Sequence, residues 1–191
     1  MEKKQHNKKD YETAVFTIPN LLSFLRICLI PVIVWLYCVK QNGVMAGGVL
    51  LLSGVTDLAD GYIARKFHMI SDLGRVLDPV ADKLTQAVML ICLFPHFPWL
   101  VAPIVVMVIK EIFMSVTGFM VIRRTGIVLS ASWHGKIATC LLYALILVHF
   151  IWLGISRTAS VFSVVACTLM ILISFVLYGV RNVKVLLEDR S

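Results

Sequence analysis

The chain has 191 residues, of which 59% are hydrophobic and 15% charged, with a mean hydropathy of +0.88. Soluble domains carry about 25% charged residues, so this composition excludes an ordinary water-soluble fold and sends the surplus apolar surface to lipid. The net charge of +7 raises nucleic acid as a partner, but the basic residues alternate with apolar runs and line no aromatic-studded stripe. Membrane topology accounts for them, and no nucleic-acid partner is expected.

Residues 1–17 are polar and mixed in charge, without a short apolar core ending at a small-residue cleavage site. They read as a retained cytoplasmic tail and not as a signal peptide. Six apolar stretches follow, at 18–39, 43–63, 76–94, 98–122, 137–155 and 159–180. Each has about the 20 residues that a helix needs to cross the hydrocarbon core. The expectation is an all-α membrane protein with six transmembrane helices in one bundle. Pro31 and Pro103 read as kinks within spans. The connections are short and none resembles a linker, so one domain is expected over 18–181, followed by a short cytoplasmic tail at 182–191.

Lys3, Lys4, Lys8 and Lys9 in the tail, Arg65, Lys66 and Arg75, then Arg123 and Arg124, and finally Arg181, Lys184 and Arg190 all fall on one side of that layout. The opposite loops offer only Lys40 and Arg157. The positive-inside bias therefore places both termini in the cytoplasm. The five cysteines (Cys28, Cys38, Cys92, Cys140 and Cys167) stand singly in apolar runs without metal or redox spacing, and read as packing material.

The acidic residues carry the chemistry. An ionised carboxylate within a span costs at least about 2.5 kcal/mol, which is why such groups mark function. Asp57 and Asp60 close the second span, and Asp78 and Asp82 open the third. Asp57, Asp60, Gly61 and Ala64 follow i, i+3, i+4, i+7, one face of a helix; Gly74, Asp78 and Asp82 follow i, i+4, i+8, again one face. If the two faces meet, four like charges repel unless some are protonated or a cation joins them. Hard divalent ions such as Mg²⁺ or Mn²⁺ take oxygen ligands of this kind, and a two-ion site clamps the oxygens of a phosphoryl displacement. Gly61, Ala64 and Gly74 clear space on the same faces. Arg65 offers a fork suited to phosphate, although a basic residue at the inner end of a span also fits topology alone.

The run Asp57-x2-Asp60-Gly61-x2-Ala64-Arg65-x8-Gly74-x3-Asp78-x3-Asp82 resembles the full signature of the CDP-alcohol phosphatidyltransferases, eight specified residues over 26 positions. The six-span layout is similar as well. The resemblance implies that Asp57, Asp60, Asp78 and Asp82 hold two ions, Mg²⁺ or Mn²⁺, and that Asp82 is the general base for an acceptor hydroxyl. It implies that Gly61 and Arg65 hold the CDP moiety, with Ala64 and Gly74 leaving it room. Further substrate contacts fall on Ser71 and on the start of the first span, Asn20 to Ser23, where Asn20 reads equally well as a helix cap. Arg26, one turn further, faces the same end. The implied donor is CDP-diacylglycerol, the implied assembly a homodimer, and the implied location a bacterial cell membrane with the active site on the cytoplasmic side.

The acceptor is read less directly. Lys110 and Glu111 lie deep in the fourth span, either as a structural ion pair or as an acceptor contact. Arg123 and Arg124, with His134 and Lys136, suit a phosphate on the acceptor or simply follow topology. Within the family the chain is most similar to the phosphatidylglycerophosphate synthases, through Ile18-Pro19-Asn20-Leu21-Leu22-Ser23, Leu77-Asp78-Pro79-Val80-Ala81-Asp82-Lys83 and Gly135-Lys136. It departs from them at Lys110, where they carry arginine, near Gly118, where they carry another arginine, and at Ala138, where they carry a second lysine. Cardiolipin synthases of the same family, which use phosphatidylglycerol as acceptor, are the alternative. A cation-coupled transporter is the alternative outside enzymes, but its inverted repeats are absent from this sequence, and the four aspartates sit at the cytoplasmic ends of their spans and not midway.

Overall fold

The computed structural model describes the backbone of residues 18–67, 72–125 and 132–188, with side chains over 21–56, 77–124 and 132–185 and at 187. The described residues form helices joined by short turns, with no strand among them. The long ones are α1 (Ile18–Val34), continued by a π-helical turn (Trp35–Val39), α2 (Gly43–Phe67), α3 (Asp72–Leu93), α4 (Val101–Thr125), α5 (Trp133–Ile151) and α6 (Arg157–Glu188). Each coincides with one of the six apolar stretches. The ends differ: α2 and α3 extend into the charged motif, α5 begins four residues before the apolar run, and α6 continues through most of the stretch read as a tail.

Among the described residues four segments are long and apolar enough to cross a membrane: Leu21–Val39, Pro98–Arg124, Trp133–Ile151 and Arg157–Val185. The apolar part of α2, Gly43–Thr56, is shorter, because the motif charges begin directly after it. Outward-facing Leu21, Val55, Ile91, Ile112, Phe162 and Val180 are all exposed, an apolar exterior that only lipid satisfies. The chain is a multi-pass membrane protein.

It separates into two compact units. The first comprises the residues up to Cys92 together with Phe150–Leu153. Here α1 packs along α2, burying Ile33, Leu36, Tyr37, Ala46 and Leu50. The reversal between them is tight. Gln41 adopts φ 52°, and the side chain of Asn42 accepts from the Met45 N–H at 3.0 Å, capping α2. Gly43 is required because a Cβ there would lie 1.9 Å from the Phe150 carbonyl oxygen. Phe150 also stacks on Tyr37, with centroids 4.3 Å apart.

The second unit holds 93–149 and 154–191. In it α4 and α6 run side by side in the same direction, with Phe113 edge-on to Phe175 (5.2 Å) and Asn182 Nδ2 donating to Thr117 Oγ1 (2.9 Å). Pro103 lies in the first turn of α4 and not mid-helix, so the kink expected there is absent: a first-turn N–H has no intrahelical partner to lose. At the opposite end a buried polar clamp joins three segments. Trp99 Nε1–H donates to Ser160 Oγ (2.7 Å), the Ser160 hydroxyl donates to His149 Nε2 (2.8 Å), and His149 Nδ1–H donates to the Leu145 carbonyl (2.8 Å). His149 and Ser160 are fully buried. Ser160→Ala strands two polar partners at once and is expected to destabilise the protein by about 1–3 kcal/mol, measured as a lower denaturation midpoint in detergent.

Candidate active site

The carboxylate face of α3 is built from its helical period. Asp78 and Asp82 stand one turn apart and half-buried, while Ala81, Thr85, Met89 and Leu90 are buried in the packed part of the unit. Pro79 sits between the acids inside the helix, where it removes one backbone bond and loosens the first turns locally. Ser23 of α1, itself buried, donates its hydroxyl to Asp78 Oδ1. Thus the start of the first span and the start of the third meet at an acid, Ser23 with Asp78. Arg26, one turn beyond Ser23, is also buried.

Asp82 is oriented by two residues of its own helix. Gln86 Nε2 donates to Asp82 Oδ2 at 3.1 Å, and Lys83 Nζ lies 3.8 Å from the same oxygen and 3.4 Å from Gln86 Oε1. Gln86 is fully buried, so its amide is a fixed donor that holds the Asp82 carboxylate in one direction. Gln86 did not stand out in sequence, although it follows Asp82 at i+4, the spacing at which helical side chains meet; Lys83 was noted only as part of the run that resembles the family.

Asp57, Asp60, Gly61, Ala64 and Arg65 all fall within the unbroken helix α2. Their backbone positions keep the i, i+3, i+4, i+7, i+8 register of one face; their side chains lie outside the described residues. Gly74 lies in the first turn of α3. Asn20 lies in the first turn of α1 with its side chain outside the described residues, and Ser71 lies outside them altogether.

The second unit carries the residues considered for the acceptor. Lys110 is buried and pairs with Glu111, Nζ to Oε1 3.4 Å, so the ion-pair reading of these two holds. Arg123 is thirteen residues further along α4, about 20 Å at 1.5 Å per residue, exposed and stacked on Phe119 (5.1 Å). Arg124 and Lys136 are exposed as well. Lys110 and the Arg123–Arg124 pair are therefore not one cluster. Lys110 instead shares the electrostatic surroundings of His134 with Arg181.

That region is braced by α6. The Ser132 N–H donates to the Tyr178 hydroxyl and Arg181 Nη1 donates to Ser132 Oγ, both at 2.7 Å. Arg181 lies over the Tyr178 ring (4.8 Å), and His134 Nδ1 is 3.2 Å from Ser174 Oγ. A Cβ at Gly135 would lie 2.5 Å from the Tyr178 hydroxyl oxygen, so a side chain there would displace the Tyr178 ring. Asn182 is buried, and its carbonyl oxygen has no hydrogen-bond partner among the described residues; a hydroxyl-bearing ligand or a water satisfies such a group. Tyr178, Arg181 and Asn182 were read from sequence only as the end of a span and a basic tail.

Comparison with known proteins agrees with the motif. The family model for CDP-alcohol phosphatidyltransferase matches residues 16–180. A CDP-diacylglycerol–glycerol-3-phosphate 3-phosphatidyltransferase of Pseudomonas fluorescens is 39% identical over 102 residues, 51% of this chain and 52% of that protein. The protein of that name from Escherichia coli strain K12 is 32% identical over 131 residues, 65% of this chain and 71% of its own length. A cardiolipin synthase (CMP-forming)/mitochondrial hydrolase fusion protein of Schizosaccharomyces pombe is 48% identical over 79 residues, 41% of this chain. The match thus spans about half of the Pseudomonas protein and 13% of the fusion protein. With the family match running across nearly all of its helices, the chain belongs to the CDP-alcohol phosphatidyltransferases.

Proposed function

We propose that this chain transfers the phosphatidyl group of CDP-diacylglycerol to glycerol 3-phosphate, giving phosphatidylglycerophosphate and CMP. The observation that carries the reading is the eight-residue motif on α2 and α3, inside the residues that the family model matches, and relatives named for that reaction support it. The cardiolipin synthase reading is less favoured, because its support is a partial match. A transporter gives no account of the family match.

In this reading Asp57, Asp60, Asp78 and Asp82 hold two divalent ions, Mg²⁺ or Mn²⁺. The donor set is chemically suited to them, being all carboxylate oxygen, and Asp78 and Asp82 stand one turn apart on one half-buried face. When bound, the ions neutralise the pyrophosphate of the donor. Ser23 fixes Asp78 through its hydroxyl, while Gln86 and Lys83 aim Asp82. Asp82 accepts the proton of the acceptor hydroxyl as its oxygen attacks the lipid-side phosphorus and CMP departs. Arg65 binds donor phosphate, Gly61, Ala64 and Gly74 leave room for the CDP group, and Asn20 and Ser71 complete its contacts. Lys110, Arg123, Arg124 and Lys136 are the acceptor candidates. Since Lys110 and Arg123 are far apart along α4, one acceptor phosphate engages only part of this set.

The same reading includes six crossings over a domain at 18–181, both tails in the cytoplasm, the site on the cytoplasmic side of a bacterial cell membrane, and a homodimer. The test uses the purified chain in detergent with Mg²⁺ or Mn²⁺, CDP-diacylglycerol and one acceptor at a time, scored by CMP release. Release with glycerol 3-phosphate is expected. Release with phosphatidylglycerol alone would move the assignment to cardiolipin synthase, and no release with any acceptor, beside ion flux in liposomes, would defeat the enzyme reading.

A further inference from the structure

The two acids of α3 are each held by a neutral donor that is itself fully buried: the Ser23 hydroxyl on Asp78 and the Gln86 amide on Asp82. Gln86 belongs to no part of the eight-residue motif. It follows Asp82 by one helical turn and is shut away from the exterior, whereas Leu84, two residues earlier, is exposed. A buried amide is costly unless its polar ends are hydrogen-bonded. Thr85, also buried, meets that need on the backbone, its hydroxyl donating to the Ala81 carbonyl of the same helix at 2.8 Å. Gln86 meets it on two charged side chains.

Its Oε1 accepts from Lys83 Nζ at 3.4 Å, and its Nε2 donates to Asp82 Oδ2 at 3.1 Å. A reversed amide would set oxygen against the carboxylate and N–H against the ammonium, so the two charges fix its direction. Lys83 Nζ itself is 3.8 Å from Asp82 Oδ2, beyond hydrogen-bond length, which leaves the neutral amide as the closer of the two donors. That difference matters at a cation site. A cationic donor in contact would neutralise the carboxylate and compete with a metal ion. An amide N–H leaves the negative charge in place and occupies one of about four lone-pair positions. It also removes in advance the side-chain freedom that ion binding would otherwise have to quench.

We propose that Gln86 is a positioning residue for ion binding: it touches no ion, and by holding Asp82 in one direction it raises the affinity of the carboxylates for a divalent cation. The inference rests on the reading above in which Asp82 is an ion ligand, a role that its all-oxygen donor set suits. Hydrogen-bond partners of metal ligands contribute about 10–100-fold in affinity or activity, and an effect of that size is expected from Gln86.

The test is Mn²⁺ titration of the purified full chain in detergent, read by electron paramagnetic resonance, with the denaturation midpoint measured on the same preparation. Gln86→Met keeps the length of the side chain and removes both polar ends. Gln86→Asn keeps the amide but draws it back by one carbon, and takes the place of the first variant should that one not fold. Either is expected to weaken Mn²⁺ binding by about 10–100-fold, with the number of ions at saturation unchanged. Thr85→Val removes a buried hydrogen bond from the same turn without touching an acid, and is expected to leave Mn²⁺ affinity unaltered. Undiminished affinity in a folded Gln86 variant, or an equal loss in Thr85→Val, would overturn the proposal while leaving the metal reading in place. An unmutated chain that binds no Mn²⁺ would defeat the metal reading, and this inference with it.

Discussion

Asp82→Asn is expected to reduce CMP release by about 10²–10⁴-fold, the range that a positioned general base supplies, while CDP-diacylglycerol binding stays largely intact. The substitution keeps the shape of the side chain and an oxygen able to accept from Gln86, whose amide holds Asp82 at 3.1 Å. In the proposed mechanism, what it removes is the basicity that takes a proton from the acceptor. Lys83 beside it is then left without its carboxylate partner, but half-exposed pairs of this kind contribute little to stability, so the variant is expected to fold. Single-turnover CMP release and CDP-lipid binding, measured on the same preparation, separate chemistry from capture. Unimpaired turnover would remove Asp82 from the base role.

Chelation is expected to have the larger effect, lowering CMP release to background, with recovery on adding Mg²⁺ or Mn²⁺. Four carboxylates at the ends of two successive helices are costly in a membrane protein, and the cost is offset only if cations or protons join them. In the proposed reaction cations take that role, since protonated acids would not accept the acceptor proton. The measurement is CMP release across a series of free-cation concentrations. Full turnover in excess chelator would exclude the ions from the account.

The sequence revealed the helices and the acids for different reasons. The apolar runs locate the long helices of the described residues because a helix that crosses lipid must be both long and hydrophobic. Their ends were less legible, because a helix does not stop where hydrophobicity stops: α2 carries its motif to Phe67, and α6 continues to Glu188. The motif on α2 and α3 was legible because a helical period places residues three and four apart on one face without any knowledge of packing. Contacts between distant elements were not legible. Ser23 with Asp78, Ser132 with Tyr178 and Arg181, and Thr117 with Asn182 each join residues separated by 46 positions or more, and depend on helix register that no local pattern encodes.

The central claim is that the carboxylates of α2 and α3 act as one metal site. The most direct measurement is the number of Mn²⁺ ions bound per chain, by equilibrium titration of the purified protein followed by electron paramagnetic resonance. The account predicts two ions in the unmutated chain, and loss of binding both in Asp57→Ala, on α2, and in Asp78→Ala, on α3. Unchanged Mn²⁺ binding in either variant would contradict it.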